Sequence, residues 1–175
     1  RLRYTNLLAD LLAALLPAGP PGEPALEGSV STAPGAYKAA LTGPQDVATM
    51  VEHLLQHVAH LVALRQRSGR SIALALEPEP DCFLETIDET VAFFTRDLHG
   101  PAAVRRLMAL TGLGPAEAAE ALRHHLGLCL DLCHAAVEYA DVAGAGVVHV
   151  EARDAFLRRP VAPRVDAGHG DRVVP

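Results

Sequence analysis

Every apolar stretch of the chain is soon interrupted by charged or polar residues or by proline, so no run approaches the ~20 residues that a helix needs to cross a bilayer. A soluble protein without direct membrane insertion is expected. Nothing resembles a signal peptide, and the three cysteines, Cys82, Cys129 and Cys133, cannot all pair with one another. Both observations point to a reducing compartment, hence a cytoplasmic location and no disulfide framework. A basic stripe is missing too: the formal net charge is -6 and the arginines lie scattered among acids. Binding a phosphate backbone needs the opposite pattern, so small molecules rather than nucleic acid are the expected partners. No repeat of fixed period is visible, and neither a methionine nor a cap precedes Arg1, which already stands in a helical pattern. The chain therefore reads as a piece of something longer.

What is present is a half-apolar chain of 175 residues, enough for one domain with a core. Leu7 to Leu16 is apolar at helical spacing and stops at Pro17. A short alternating run, Leu26 to Thr32, suits a strand closed by the turn Pro34-Gly35. From Gln45 to Arg67 a stripe recurring every three or four residues predicts a long amphipathic helix that ends at Gly69. Ser71 to Leu76 predicts a buried strand, followed by a helix over about 84–98 and by two helices divided at Gly112-Leu113-Gly114-Pro115. Two more strands are expected, Gly127 to Leu132 and Gly146 to Val150. Strands alternating with helices in this order imply parallel βα units. Residues 155–175 carry arginine, proline and glycine without periodicity and are expected to form an irregular tail after a domain spanning 1–154.

The period-two rule places the chemistry. Ile72, Leu74 and Leu76 face one way and Ala73, Ala75 and Glu77 the other; Leu128, Leu130 and Leu132 likewise oppose Cys129, Asp131 and Cys133. If the leucines face covering helices, the small faces share an interior and each bears a carboxylate near a strand's carboxyl end, where parallel α/β folds build their sites. His134 can join Asp131 only if the chain turns as it leaves the strand. Glu77, Asp131 and His134 could then grip one ion, and carboxylate plus imidazole suits Zn²⁺, Mn²⁺, Fe²⁺ or Mg²⁺ without choosing among them. Cys133 is either a soft addition to that set or core. The competing reading, of similar weight, makes Asp131 and His134 a hydrogen-bonded pair and Glu77 the start of a solvated turn. Glu79 is expected to point the same way as Glu77 because Pro78 and Pro80 hold the segment extended, which leaves it a base or a surface carboxylate.

Other polar residues carry weaker signals. His53, His57 and His60 recur at helical spacing, yet no acidic partner is spaced with them, so a partly exposed helix edge explains them better than a metal does. His124 and His125 stand near a helix C-terminus, where the dipole favours positive charge. Asp81 suits an N-cap for the following helix, and Ser29 and Ser31 are expected to line the interior from the first strand. His149 and Glu151 extend the site if Val148 and Val150 face outward.

Taken together these motifs resemble the xylose isomerase-like TIM-barrel superfamily, which includes endonuclease IV and many sugar-phosphate isomerases and epimerases. Cys129-Leu130-Asp131-Leu132-Cys133-His134 is similar to that superfamily's Asp-x-Cys-His strand end, and Leu76-Glu77 to its Leu-Glu strand end. Both supply metal ligands there. A closer resemblance, from about Leu2 to Tyr139, is to the EboE family of metabolite-traffic proteins, carried by Glu27 to Thr32, by Leu76 to Cys82 with Glu85-Thr86, and by Cys129 to Glu138. The resemblance implies a (β/α)₈ barrel lacking its N-terminal strands and also its C-terminal ones, since a complete barrel takes roughly 250 residues. It further implies Glu77, Asp131 and His134 as ligands of a divalent metal, with Glu79 as base for isomerase- or epimerase-like proton transfer. The expected role is movement of a secondary-metabolite precursor toward export, beside prenyltransferase-like enzymes and membrane proteins of the same pathway. A non-catalytic barrel that binds a metabolite or partner is the alternative. Nuclease action on abasic DNA is disfavoured by the negative charge.

Overall fold

The computed structural model describes residues 1–17 and 27–138. The expected strand at 146–150, His149, Glu151 and the tail at 155–175 lie outside the described residues. Within them the chain is α/β, with six α-helices and a small parallel sheet of three strands in the order β1-β2-β3. Helix α1 (Leu2–Leu15) precedes β1 (Glu27–Thr32), and α2 (Pro44–Ser68) precedes β2 (Ser71–Leu76). Next come α3 (Ile87–Phe93), which runs on into a wider turn at Phe94–Leu98, then α4 (Pro101–Thr111), α5 (Pro115–His125), β3 (Leu126–Leu128) and α6 (Leu132–Val137).

The helix boundaries follow the breakers in the sequence. Gly69 ends α2 with φ 69° and Gly112 ends α4 with φ 76°, left-handed values that an L side chain rarely adopts. Pro115 occupies the first turn of α5, where its missing N–H costs nothing, and the Glu117 carboxylate accepts the Gly114 N–H at 2.9 Å. The cap of α3 corrects an expectation. Thr86, not Asp81, caps it: Thr86 Oγ1 accepts the Glu89 N–H and Glu89 accepts the Thr86 N–H, each at 3.2 Å. Asp81 instead sits in a turn with φ 62°, and its N–H reaches the Glu85 carboxylate at 2.8 Å.

Ile72, Leu74 and Leu76 are all buried against the helical layer, as the alternation predicts, while Ala73 and Ala75 stay half-buried on the other face. The third strand behaves differently. It stops at Leu128 instead of reaching Leu132, because Asp131 starts a new helix, and Leu132 is 64% exposed rather than packed under one. Helix α2 is the spine of the layer, packed on α1, α4, α5 and β2. It also corrects the reading of the apolar runs, since by length and composition it alone among the described helices could cross a membrane. In this fold it buries Leu55, Val58, Leu61, Val62 and Leu64 in the core and pairs Glu52 with Arg106 of α4 at 2.5 Å.

Two histidines, His57 and His125, lie deeper than expected. His57 is 2% exposed, with Nδ1 at 2.6 Å from Asn6 Oδ1 of α1, and His60 does find an acid, Asp10, at 3.0 Å. Sequence spacing could not show either partner, because both come from another helix. His125 is 1% exposed, and its Nδ1–H donates to Ile72 O at 2.7 Å, tying the end of α5 to β2. Burial pushes its ring down to about 4, so at neutral pH it acts as an uncharged hydrogen bonder rather than a cation on the helix dipole. His57 is likewise pushed down to about 4, by burial first and then by His60 and His125.

Two predictions follow from this packing. A histidine held neutral in the fold is protonated near pH 6.5 once unfolded, so its contribution is complete above that pH and is lost as the pH falls toward about 4. Urea unfolding should therefore show a loss of about 2 kcal/mol per buried histidine between pH 7.5 and 5. His125→Asn should remove its share of the slope, and a stability independent of pH in that window would contradict the account. The second concerns the chain between α3 and α4, where a Cβ on Gly100 would stand 2.4 Å from Arg96 O, whereas one on Gly43 meets nothing within 4 Å. Gly100→Ala should cost about 1–3 kcal/mol and Gly43→Ala less than about 0.5 kcal/mol by the same assay.

Candidate metal centre

The carboxyl ends of the three strands are held side by side beyond the last sheet residues. The Glu77 N–H donates to Thr32 O at 3.1 Å, and the Cys129 N–H to Leu76 O at 2.8 Å. In the sheet register Ser31 stands opposite Ala75, and Ala75 opposite Gly127, so all three share a face. Glu77 and Cys129 follow Ala75 and Gly127 by two residues and return to that face. It is the face turned away from the buried leucines.

Asp131 then makes the turn that brings His134 back. Its Oδ1 accepts the Cys133 N–H at 2.7 Å and the His134 N–H at 3.4 Å, so Asp131 is the N-cap of α6 and His134 lies in that helix's first turn. Asp131 Oδ2 is left facing His134 Nε2 at 3.8 Å. The other imidazole nitrogen, Nδ1, donates to Pro78 O at 3.1 Å, which leaves Nε2 with its lone pair. Glu77 is tied in the same manner: the Ser31 hydroxyl donates to its Oε2 at 2.7 Å. Glu77, Asp131 and His134, all half-buried, each offer one ligand atom, and the three atoms lie within 4.8 Å of one another. Ligands of one ion at about 2.0–2.2 Å are at most about 4.4 Å apart, so gathering these three needs shifts of a few tenths of an ångström. In each residue the protein fixes one polar atom of the side chain, the arrangement that orients metal ligands.

Charge favours a cation here. The Cys133 amide, joined by that of His134, holds the Asp131 carboxyl below the usual carboxylate range, so it is ionised at neutral pH. Beside it burial pushes the Cys129 thiol up; a hydrogen bond with Ser31 opposes this and the Glu77 and Asp131 carboxylates add to it. The Pro78 carbonyl that orients His134 belongs to a loop pinned on its far side. The Phe83 N–H donates to Ala36 O at 2.8 Å, the Lys38 N–H to Asp81 O at 2.8 Å, and the Lys38 ammonium bridges Glu85 and Glu89.

Not every expected residue joins the centre. Glu79 is half-buried but outside the three-residue group, and the chain turns just beyond it, with the Cys82 N–H donating to Glu79 O at 3.1 Å. Cys133 is exposed, and its contribution is the backbone N–H that orients Asp131. Sequence reasoning had Ser31 facing this side but gave it no partner; the β1-β2 register supplies one. The Pro78 carbonyl and the Lys38 clamp carry no signal in a single sequence, because each acts across loops from different strands.

In chelator-treated protein, long-range ¹H–¹⁵N correlation of His134 should show the Nδ1–H tautomer, the form that keeps Nε2 open. An Nε2–H tautomer would remove it from the candidate set. No family model, curated protein or solved structure matches the chain, so the functional reading rests on the geometry of this centre.

Proposed function

We infer that the chain is the metal-bearing part of a xylose isomerase-like (β/α)₈ barrel of the EboE kind, acting on a small metabolite in the cytoplasm. The observation that carries this reading is the convergence of Glu77, Asp131 and His134, whose ligand atoms lie within 4.8 Å of one another and whose side chains are each anchored by a protein hydrogen bond. Strands that pair in parallel and present these groups at their carboxyl ends support the barrel, since that rim is where such folds place their chemistry. Three free cysteines support a reducing compartment. The expected partners are a secondary-metabolite precursor on its way to export and the enzymes or membrane proteins of the same pathway.

Two carboxylates and one imidazole suit Zn²⁺, Mn²⁺, Fe²⁺ or Mg²⁺, and a divalent ion there would supply Lewis-acid polarisation of a substrate oxygen. The chain's own work is to fix the ligands: Ser31 holds Glu77, the α6 amides hold Asp131, and the Pro78 carbonyl holds the imidazole. Glu79, close in sequence but outside the ligand group, takes and returns the proton of an isomerase- or epimerase-like step.

Metal analysis of the purified full-length protein tests this reading. One divalent ion per chain is expected, with affinity reduced at least about 100-fold by Asp131→Ala combined with His134→Ala and about 10- to 100-fold by Ser31→Ala. Glu79→Gln should leave metal affinity within about threefold, because Glu79 orients no ligand. Protein without stoichiometric metal, or a double variant that binds as tightly as the parent, overturns the reading.

A further inference from the structure

On the opposite face of the sheet from Glu77, a cavity of about 110 Å³ lies between β2, α1 and the first half of α2. Leu54, Leu74, Leu76, Phe83 and Phe93 give it apolar walls, and His57 is part of its lining. The mouth is marked by Arg1, Ala33 and His53, the exposed members of the same lining. The volume is somewhat below that of an apolar cavity of ~150 Å³ that admits benzene.

One lining residue, His57, carries a polar atom without a partner among the described residues. His57 is 2% exposed, and its Nε2 is buried with no hydrogen-bond partner among the described residues. Its Nδ1 is engaged with Asn6 Oδ1 at 2.6 Å, an acceptor oxygen, so the ring proton sits on Nδ1 and Nε2 is an acceptor. Burial keeps the ring neutral at pH 7, which preserves that lone pair. A buried acceptor without a donor is costly, and protein interiors rarely leave one. A lone water is a poor remedy, since a buried water needs two to four polar partners and these walls are mainly hydrocarbon.

We propose that this cavity is a binding site for a compact apolar molecule of about six carbons bearing one hydroxyl, which donates to His57 Nε2 while its hydrocarbon part packs against Leu54, Leu74, Leu76 and Phe93. The site is separate from the metal centre: the leucines of β2 that form its wall face away from Glu77. It stands or falls independently of the metal. Binding here wedges α1 against α2 and β2, so a ligand would stiffen the helical layer.

Phenol and toluene, which differ by a hydroxyl in place of a methyl at nearly equal size, are the probes. In ¹⁵N-labelled full-length protein, phenol should bind at least about tenfold tighter than toluene and shift the His57 Nε2 resonance. His57→Leu should erase the preference, and Leu54→Trp, which fills the cavity, should weaken both probes. Should His57→Leu fail to fold, the phenol and toluene comparison on the parent protein decides. Equal affinities, no phenol binding at millimolar concentration because a solvent molecule or a segment of the chain fills the space, or binding that leaves His57 Nε2 unmoved would each overturn the proposal.

Discussion

Parallel pairing of β2 with a strand on each side is the constraint on which the candidate centre depends. Because the strands run the same way, their carboxyl ends arrive at one edge, and the hydrogen bonds from Glu77 to Thr32 and from Cys129 to Leu76 extend the pairing one step past each neighbour. That step brings Glu77 beside Ser31 and delivers the chain after Cys129 to the place where Asp131 can start a helix. A register slip of one residue would send Glu77 among the buried leucines and Ser31 away from it. The three ligand atoms meet because the ladder is in step, and the caps and loop contacts then hold them.

The helical layer fixes that register from the other side. Ile72, Leu74 and Leu76 are buried under α2 and its neighbours, and turning β2 over would expose three large side chains at a cost of about 1.5–3 kcal/mol each. Two buried histidines sharpen the fit. His125 joins α5 to Ile72 and His57 joins α2 to Asn6 of α1, so helices that could slide on leucines alone are given fixed positions. The helical face also contains the apolar cavity, and the molecule thus has a polar side at the strand ends and a hydrocarbon pocket beneath the sheet.

Much of this was legible in the residues. The stripe of α2, the division of α4 from α5 at Gly112 to Pro115, and the alternation of Ser71 to Leu76 all depend on local periodicity and breakers, which a single sequence carries. The convergence of Glu77, Asp131 and His134 was legible as well, provided that the chain turned after the third strand. The errors have two physical origins, local caps and long-range pairing. Leu130 and Leu132 continue an alternating pattern, but Asp131 accepts the amides of residues 133 and 134, and this helix cap wins over strand propensity. Asp81 had the chemistry of a cap, yet Thr86 with Glu89 offered a reciprocal pair three residues apart. His57 and His60 looked unpartnered because Asn6 and Asp10 lie about fifty positions away. Long-range pairing of that kind leaves no local trace.

The proposed metal centre requires one divalent ion held by Glu77, Asp131 and His134 together. Anomalous scattering from crystals of the full-length protein grown with Mn²⁺ tests it directly. A single peak is predicted within about 2.0–2.3 Å of a Glu77 oxygen, an Asp131 oxygen and His134 Nε2. No peak at the strand ends, or a peak that leaves any of these three atoms unligated, would contradict it.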